Sequence, residues 1–153
     1  MLSQPGPHVY LAAMEPWGEE ARARIDKHRR SRSGRGFQTI ERYTGLSGLA
    51  LPPKASVLLE DLGNLTANEL FRPDGGGEDA VISGLEHLAR TCRNLTVVTN
   101  EVFAGGQDYG EDTLRYLKAL ASLNRSVAAK ADLVAEIVCG LPDVWKGAPP
   151  WEC

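Results

Sequence analysis

Short apolar, β-rich runs that end in polar residues, separated by stretches of helical spacing, predict an α/β fold: a mostly parallel sheet with flanking helices. Strands of such sheets are buried on both faces and read as near-continuous apolar runs rather than alternating ones. Ligands bind beyond the carboxyl ends of these strands, so the polar residues that close each run are where chemistry is expected.

In chain order, His8 to Ala13 reads as a buried strand that stops before Pro16. Glu19 to about Arg32 is rich in Glu, Ala, Arg and Lys and predicts a helix, with Gly34 and Gly36 as its stop. Phe37 to Tyr43 is a short strand, and after Pro52-Pro53 the run Ser56 to Asp61 is a buried strand closed by two carboxylates. Leu62 to Phe71 is helical and Pro73 to Gly77 is a loop. Glu78 to Arg93 places Val81, Ile82, Leu85, Leu88 and Ala89 on one helix face. Leu95 to Glu101 is a strand that runs into the Gly105-Gly106 loop. Asp112 to Ala131 repeats leucines at helical intervals, and Leu133 to Cys139 is a final strand ended by Gly140-Leu141-Pro142.

At 153 residues the chain fits one core, so a single α/β domain is expected over 1–147 with a short tail over 148–153. Apolar residues make up 42% and charged residues 24%, with no apolar run near the ~18 residues of a membrane span, which predicts a soluble protein. The N-terminus lacks the basic and apolar regions of a secretory signal, so the cytoplasm is the expected location. Cys92, Cys139 and Cys153 form neither a metal knuckle nor a disulfide framework, and the first two read as core thiols. A net charge of −3 argues against nonspecific nucleic-acid binding, although basic residues concentrate between Arg22 and Arg35.

Two places carry chemistry. Glu60 ends an apolar strand, where a rigidly held carboxylate can organise Mg²⁺; an acid at that position equally serves to cap the next helix. His28 lies among Arg22, Arg24, Lys27, Arg29, Arg30 and Arg32, which can gather phosphate oxygens and keep the imidazole neutral and nucleophilic. The same composition also fits a solvated basic helix. Thr99-Asn100-Glu101 offers nucleotide or metal contacts but also suits a turn, and His8 and His87, without partner ligands at useful spacing, read as structural or surface residues.

Taken in order, Val9–Met14, Arg24–Arg29, Thr39-Ile40-Glu41, Val57–Glu60, Val98–Val102, Asn124 and Gly140-Leu141-Pro142 resemble the bifunctional adenosylcobinamide kinase/adenosylcobinamide-phosphate guanylyltransferase family of cobalamin biosynthesis. The resemblance implies a P-loop NTPase-like (RecA-like) domain. It also implies phosphorylation of adenosylcobinamide at the expense of ATP or GTP, then GMP transfer from GTP through a GMP-histidine on His28. It places Ala12, Ala13, Met14, Arg29, Arg30, Ser31, Arg32, Glu41 and Glu60 around the guanine nucleotide, with Glu60 toward Mg²⁺, and implies a homotrimer with sites between subunits.

The resemblance departs in two places. Family members open with a strand and a Gly-rich loop ending Gly-Lys-Ser/Thr, whereas no Gly-x-x-x-x-Gly-Lys-[Ser/Thr] occurs in these residues; the expected fold lacks that first strand and phosphate loop. Phe103–Tyr109 also replaces a glycine-rich segment ending Ile-Val-Pro. A second reading therefore stands beside the enzyme: a noncatalytic protein that binds a nucleotide, a corrinoid or a partner subunit.

Overall fold

The computed structural model describes residues 6–15, 19, 34, 36–103, 105 and 108–149. The predicted helix from Glu19 to Arg32 lies, apart from Glu19, outside the described residues. Within them the chain forms β1 (His8–Ala12), β2 (Phe37–Glu41), a 3₁₀ turn (Leu46–Gly48), β3 (Ser56–Glu60), α1 (Leu62–Phe71), α2 (Gly77–Thr91), β4 (Asn94–Val97), α3 (Glu111–Lys130), β5 (Val134–Val138) and β6 (Leu141–Lys146). Two compact units result, Met1–Leu120 and Ala121–Cys153.

The first unit is built on a four-stranded sheet in the order β2-β1-β3-β4, every neighbouring pair parallel. Register determines which residues share a face. Val9 and Leu11 of β1 stand level with Val57 and Leu59 of β3, and all four are fully buried. Leu46, Leu62, Leu65, Val81 and Leu88, from the 3₁₀ turn, α1 and α2, are equally buried and complete this core. The amphipathic spacing of Val81, Leu85 and Leu88 thus serves the function its pattern predicts. α2 approaches the 3₁₀ turn so closely that a Cβ on Gly84 would lie 2.7 Å from Leu46 Cβ.

The opposite face carries His8, Tyr10 and Ala12 beside Phe37, Thr39 and Glu41 on one side and Ser56, Leu58 and Glu60 on the other. Coverage on both faces is the expectation for a parallel sheet, yet Thr39, Glu41, Asn94 and Thr96 on this face are exposed.

In the second unit, the run read as a final strand pairs with a further strand that the sequence pattern did not reveal. β5 and β6 form an antiparallel hairpin, with Val138 opposite Leu141 across Cys139-Gly140. Both turn residues have positive φ, 52° and 83°, the two-residue geometry whose twist matches that of paired strands. Gly140-Leu141-Pro142 therefore reverses the chain rather than ending its β-structure. Lys146 Nζ donates to the carbonyls of Ala128 (3.2 Å) and Ala129 (2.9 Å) in the last turn of α3, where a cation complements the helix dipole. Cys139, expected in a core, is exposed because it occupies this turn, and Cys92 at the end of α2 is half-buried.

Candidate functional site

Parallel pairing brings three of the sequence-predicted site residues into one row. Ala12 is level with Glu41 on one side and with Glu60 on the other. All three close their strands, so two carboxylates flank one methyl group along the carboxyl edge of the sheet. With strands ~4.8 Å apart, the Cα atoms of Glu41 and Glu60 are separated by roughly 10 Å. The row is tied together by main-chain bonds just beyond it, from Arg42 N–H to Ala12 O (3.0 Å) and from Ala13 N–H to Glu60 O (3.2 Å).

The two acids that end β3 do different work. Asp61 caps α1, its Oδ1 accepting from Asn64 N–H and its Oδ2 from the Asn64 side-chain amide, both at 2.7 Å. The capping alternative considered for this strand end thus belongs to Asp61. Glu60 is turned elsewhere: its Oε2 accepts from the Tyr10 hydroxyl at 2.7 Å. Glu41 accepts from the Tyr43 hydroxyl at a longer 3.3 Å.

The exits of β1 and β2 are held by the C-terminal half of α1. The Asn68 amide donates to Ala13 O at 2.8 Å, and Glu15 forms an ion pair with Arg72. Glu69, only 2% exposed, accepts from Gly45 N–H and Gly76 N–H, both at 2.8 Å. Thr44 donates to Asp74, whose carboxyl the Arg72 guanidinium holds below the usual carboxylate range, chiefly through its hydrogen bond. Ala13 and Met14 thus lie in a strand exit tethered at both ends. Sequence reasoning missed Tyr10, Asn68 and Glu69, whose roles depend on contacts between elements rather than on local pattern.

On the far side of α1, Tyr116 of α3 approaches the helix start: a Cβ on Gly63 would lie 2.9 Å from its hydroxyl oxygen. Burial, and then the neighbouring Asp61 carboxylate, push the Tyr116 phenol above its ordinary pKa.

His28, Arg29, Arg30, Ser31 and Arg32 lie outside the described residues. The strand predicted to reach Glu101 ends at Val97, and beyond it Glu101 Oε1 accepts from Phe103 N–H at 2.8 Å. His87 Nε2 lies 2.9 Å from Leu49 O, to which only an N–H can donate, and His8 packs edge-on against Phe37. Among the described residues no group of three or more His, Cys, Asp and Glu side chains builds a metal cage, and no helix is long and apolar enough to cross a membrane.

A parallel sheet with helices against it and a polar row at its carboxyl edge defines an α/β protein of the P-loop-like class. More narrowly, the chain belongs to the cobinamide kinase / cobinamide phosphate guanyltransferase family (CobU), whose model matches residues 1–144. No curated protein matches it significantly. Membership makes it a nucleotide-binding transferase family member of cobalamin biosynthesis, and the substrates the family implies are a nucleotide and cobinamide.

Proposed function

We propose that the protein phosphorylates adenosylcobinamide with ATP or GTP and then transfers GMP from GTP to the resulting phosphate. The observation that carries this reading is the level row Glu41–Ala12–Glu60 at the carboxyl edge of a parallel sheet, in a chain of this family. Carboxylates there can accept the N–H groups of guanine, and the small Ala12 leaves room between them. Ala13 and Met14 continue the same exit, and Arg29, Arg30, Ser31 and Arg32 supply donors for phosphate oxygens.

In the guanylyl step the neutral imidazole of His28 attacks the α-phosphorus of GTP. An N–P bond forms, the bond to the β-phosphate oxygen breaks and pyrophosphate leaves. An oxygen of the cobinamide phosphate then attacks the same phosphorus, the N–P bond breaks and the imidazole is restored. Mg²⁺ accompanying the nucleotide would neutralise charge on the phosphates. Glu60 offers the hard oxygen donor this ion prefers. A homotrimer is the assembly consistent with this reading.

GTP labelled at the α-phosphate tests it: an acid-labile label on His28, lost in His28→Ala and discharged by cobinamide phosphate, is the expected result. Folded protein that takes no label with Mg²⁺ present rejects the guanylyl step. The Glu41 and Glu60 carboxylates at the sheet edge also fit a second reading, a noncatalytic nucleotide- or corrinoid-binding protein. Calorimetric binding without labelling would support that reading, and failure to bind either ligand would reject it.

A further inference from the structure

We propose that Tyr10 is a positioning residue that holds the Glu60 carboxylate in its ligand-facing place; the inference rests on Glu60 contacting the nucleotide or its metal. Tyr10 stands two residues before Ala12 on β1, level with Leu58, which stands two residues before Glu60 on β3. From that level its ring reaches along the sheet to the carboxyl edge, where the hydroxyl donates to Glu60 Oε2 at 2.7 Å.

The ring cannot swing away. It is 5% exposed and meets Phe37 of β2 edge to face, with centroids 6.5 Å apart and planes at 81°. Phe37 is in turn packed edge to face by His8 at 5.9 Å. A donor fixed by packing thus favours one orientation of this half-buried glutamate. The other carboxylate of the row is held differently: Glu41 is exposed, and its half-buried donor Tyr43 lies two residues away, bonded at 3.3 Å. Two carboxylates at one level therefore differ in the burial and sequence distance of their tyrosine donors.

The test measures equilibrium binding of the α,β-methylene analogue of GTP, which cannot release pyrophosphate, with Mg²⁺ present. The variants are Tyr10→Phe, Glu60→Gln, their double mutant and Tyr43→Phe. Tyr10→Phe keeps the ring and removes only the donor. The expected result is a roughly tenfold loss in Tyr10→Phe, the scale of a lost supporting hydrogen bond behind a contacting residue. No further loss should follow when it is added to Glu60→Gln, and Tyr43→Phe should bind within about twofold of wild type.

If Glu60→Gln weakens binding but Tyr10→Phe does not, the positioning role is overturned while the Glu60 reading survives. If the two losses multiply in the double mutant, Tyr10 acts independently of Glu60 and the proposal is equally overturned. If Glu60→Gln leaves binding unchanged, the Glu60 reading itself falls and the inference falls with it. Should Tyr10→Phe fail to fold, ¹³Cζ-tyrosine NMR of wild type and Glu60→Gln decides: a shifted Tyr10 resonance is required, and an unmoved one overturns the bond.

Discussion

Replacing Glu69 isolates the joint that holds the exit of β2 against α1. Its carboxylate is 2% exposed and accepts two main-chain N–H bonds at 2.8 Å, from Gly45 and Gly76. Gly45 is half-buried and Gly76 exposed, so on removal of the carboxylate water can satisfy Gly76 but reaches Gly45 poorly. A hydrogen bond to a charged group contributes about 1.5–3 kcal/mol net, and an orphaned donor costs about 1–3 kcal/mol. Glu69→Gln keeps one acceptor but turns an amide donor toward an N–H, so about 2–3 kcal/mol should be lost. Glu69→Ala loses both bonds with only the water at Gly76 in compensation, about 3–4 kcal/mol. For a chain of this length, each kcal/mol lowers the thermal midpoint by roughly 2–4 °C. Thermal and urea unfolding give the totals, and hydrogen exchange at the Gly45 amide localises the effect. If Glu69→Gln leaves the midpoint within about 1 °C and Gly45 protected, this buried carboxylate is not the joint described here.

Gly84→Ala sets helix propensity against packing: the helix gains about 1 kcal/mol, but the new methyl meets Leu46 Cβ at 2.7 Å, and overpacking costs about 1–3 kcal/mol, so urea unfolding should show a net loss. Ala12→Leu fills the space between Glu41 and Glu60, and nucleotide affinity measured by calorimetry should fall while the urea midpoint barely changes; unaltered affinity would remove the row from the binding site. In a Cys153→Ser background, Cys139 should react with a disulfide reagent well before Cys92, whose thiol burial pushes upward in pKa, and equal rates would contradict this order. Tyr116 has its folded-state pKa raised, chiefly by burial, so its stabilising contribution is complete below the unfolded value near 10 and is lost as pH rises through the folded value. Its ultraviolet titration, taken as the difference from Tyr116→Phe, should therefore have a midpoint above 10.

The sequence alone determined the features that depend on local periodicity. The strands around Val9, Val57 and Leu95 and the helices Leu62–Phe71, Gly77–Thr91 and Glu111–Lys130 follow from apolar runs and 3.6-residue spacing, which act within one element. Glu60 stood out because an acid at a strand end is visible in one dimension, whereas Glu41 was singled out only by the family resemblance. Tertiary structure decided what depends on pairing. A parallel register placed both acids level with Ala12, and a contact between residues 50 apart gave Tyr10 to Glu60 while leaving Asp61 to cap the helix. Pairing also gave β5 an antiparallel neighbour: the two-residue turn at Cys139-Gly140 brings β6 alongside within a few residues, and closing so short a loop costs little entropy. Local pattern therefore specifies which segments become strands and helices, whereas the partner of each strand depends on which neighbours the folded chain supplies.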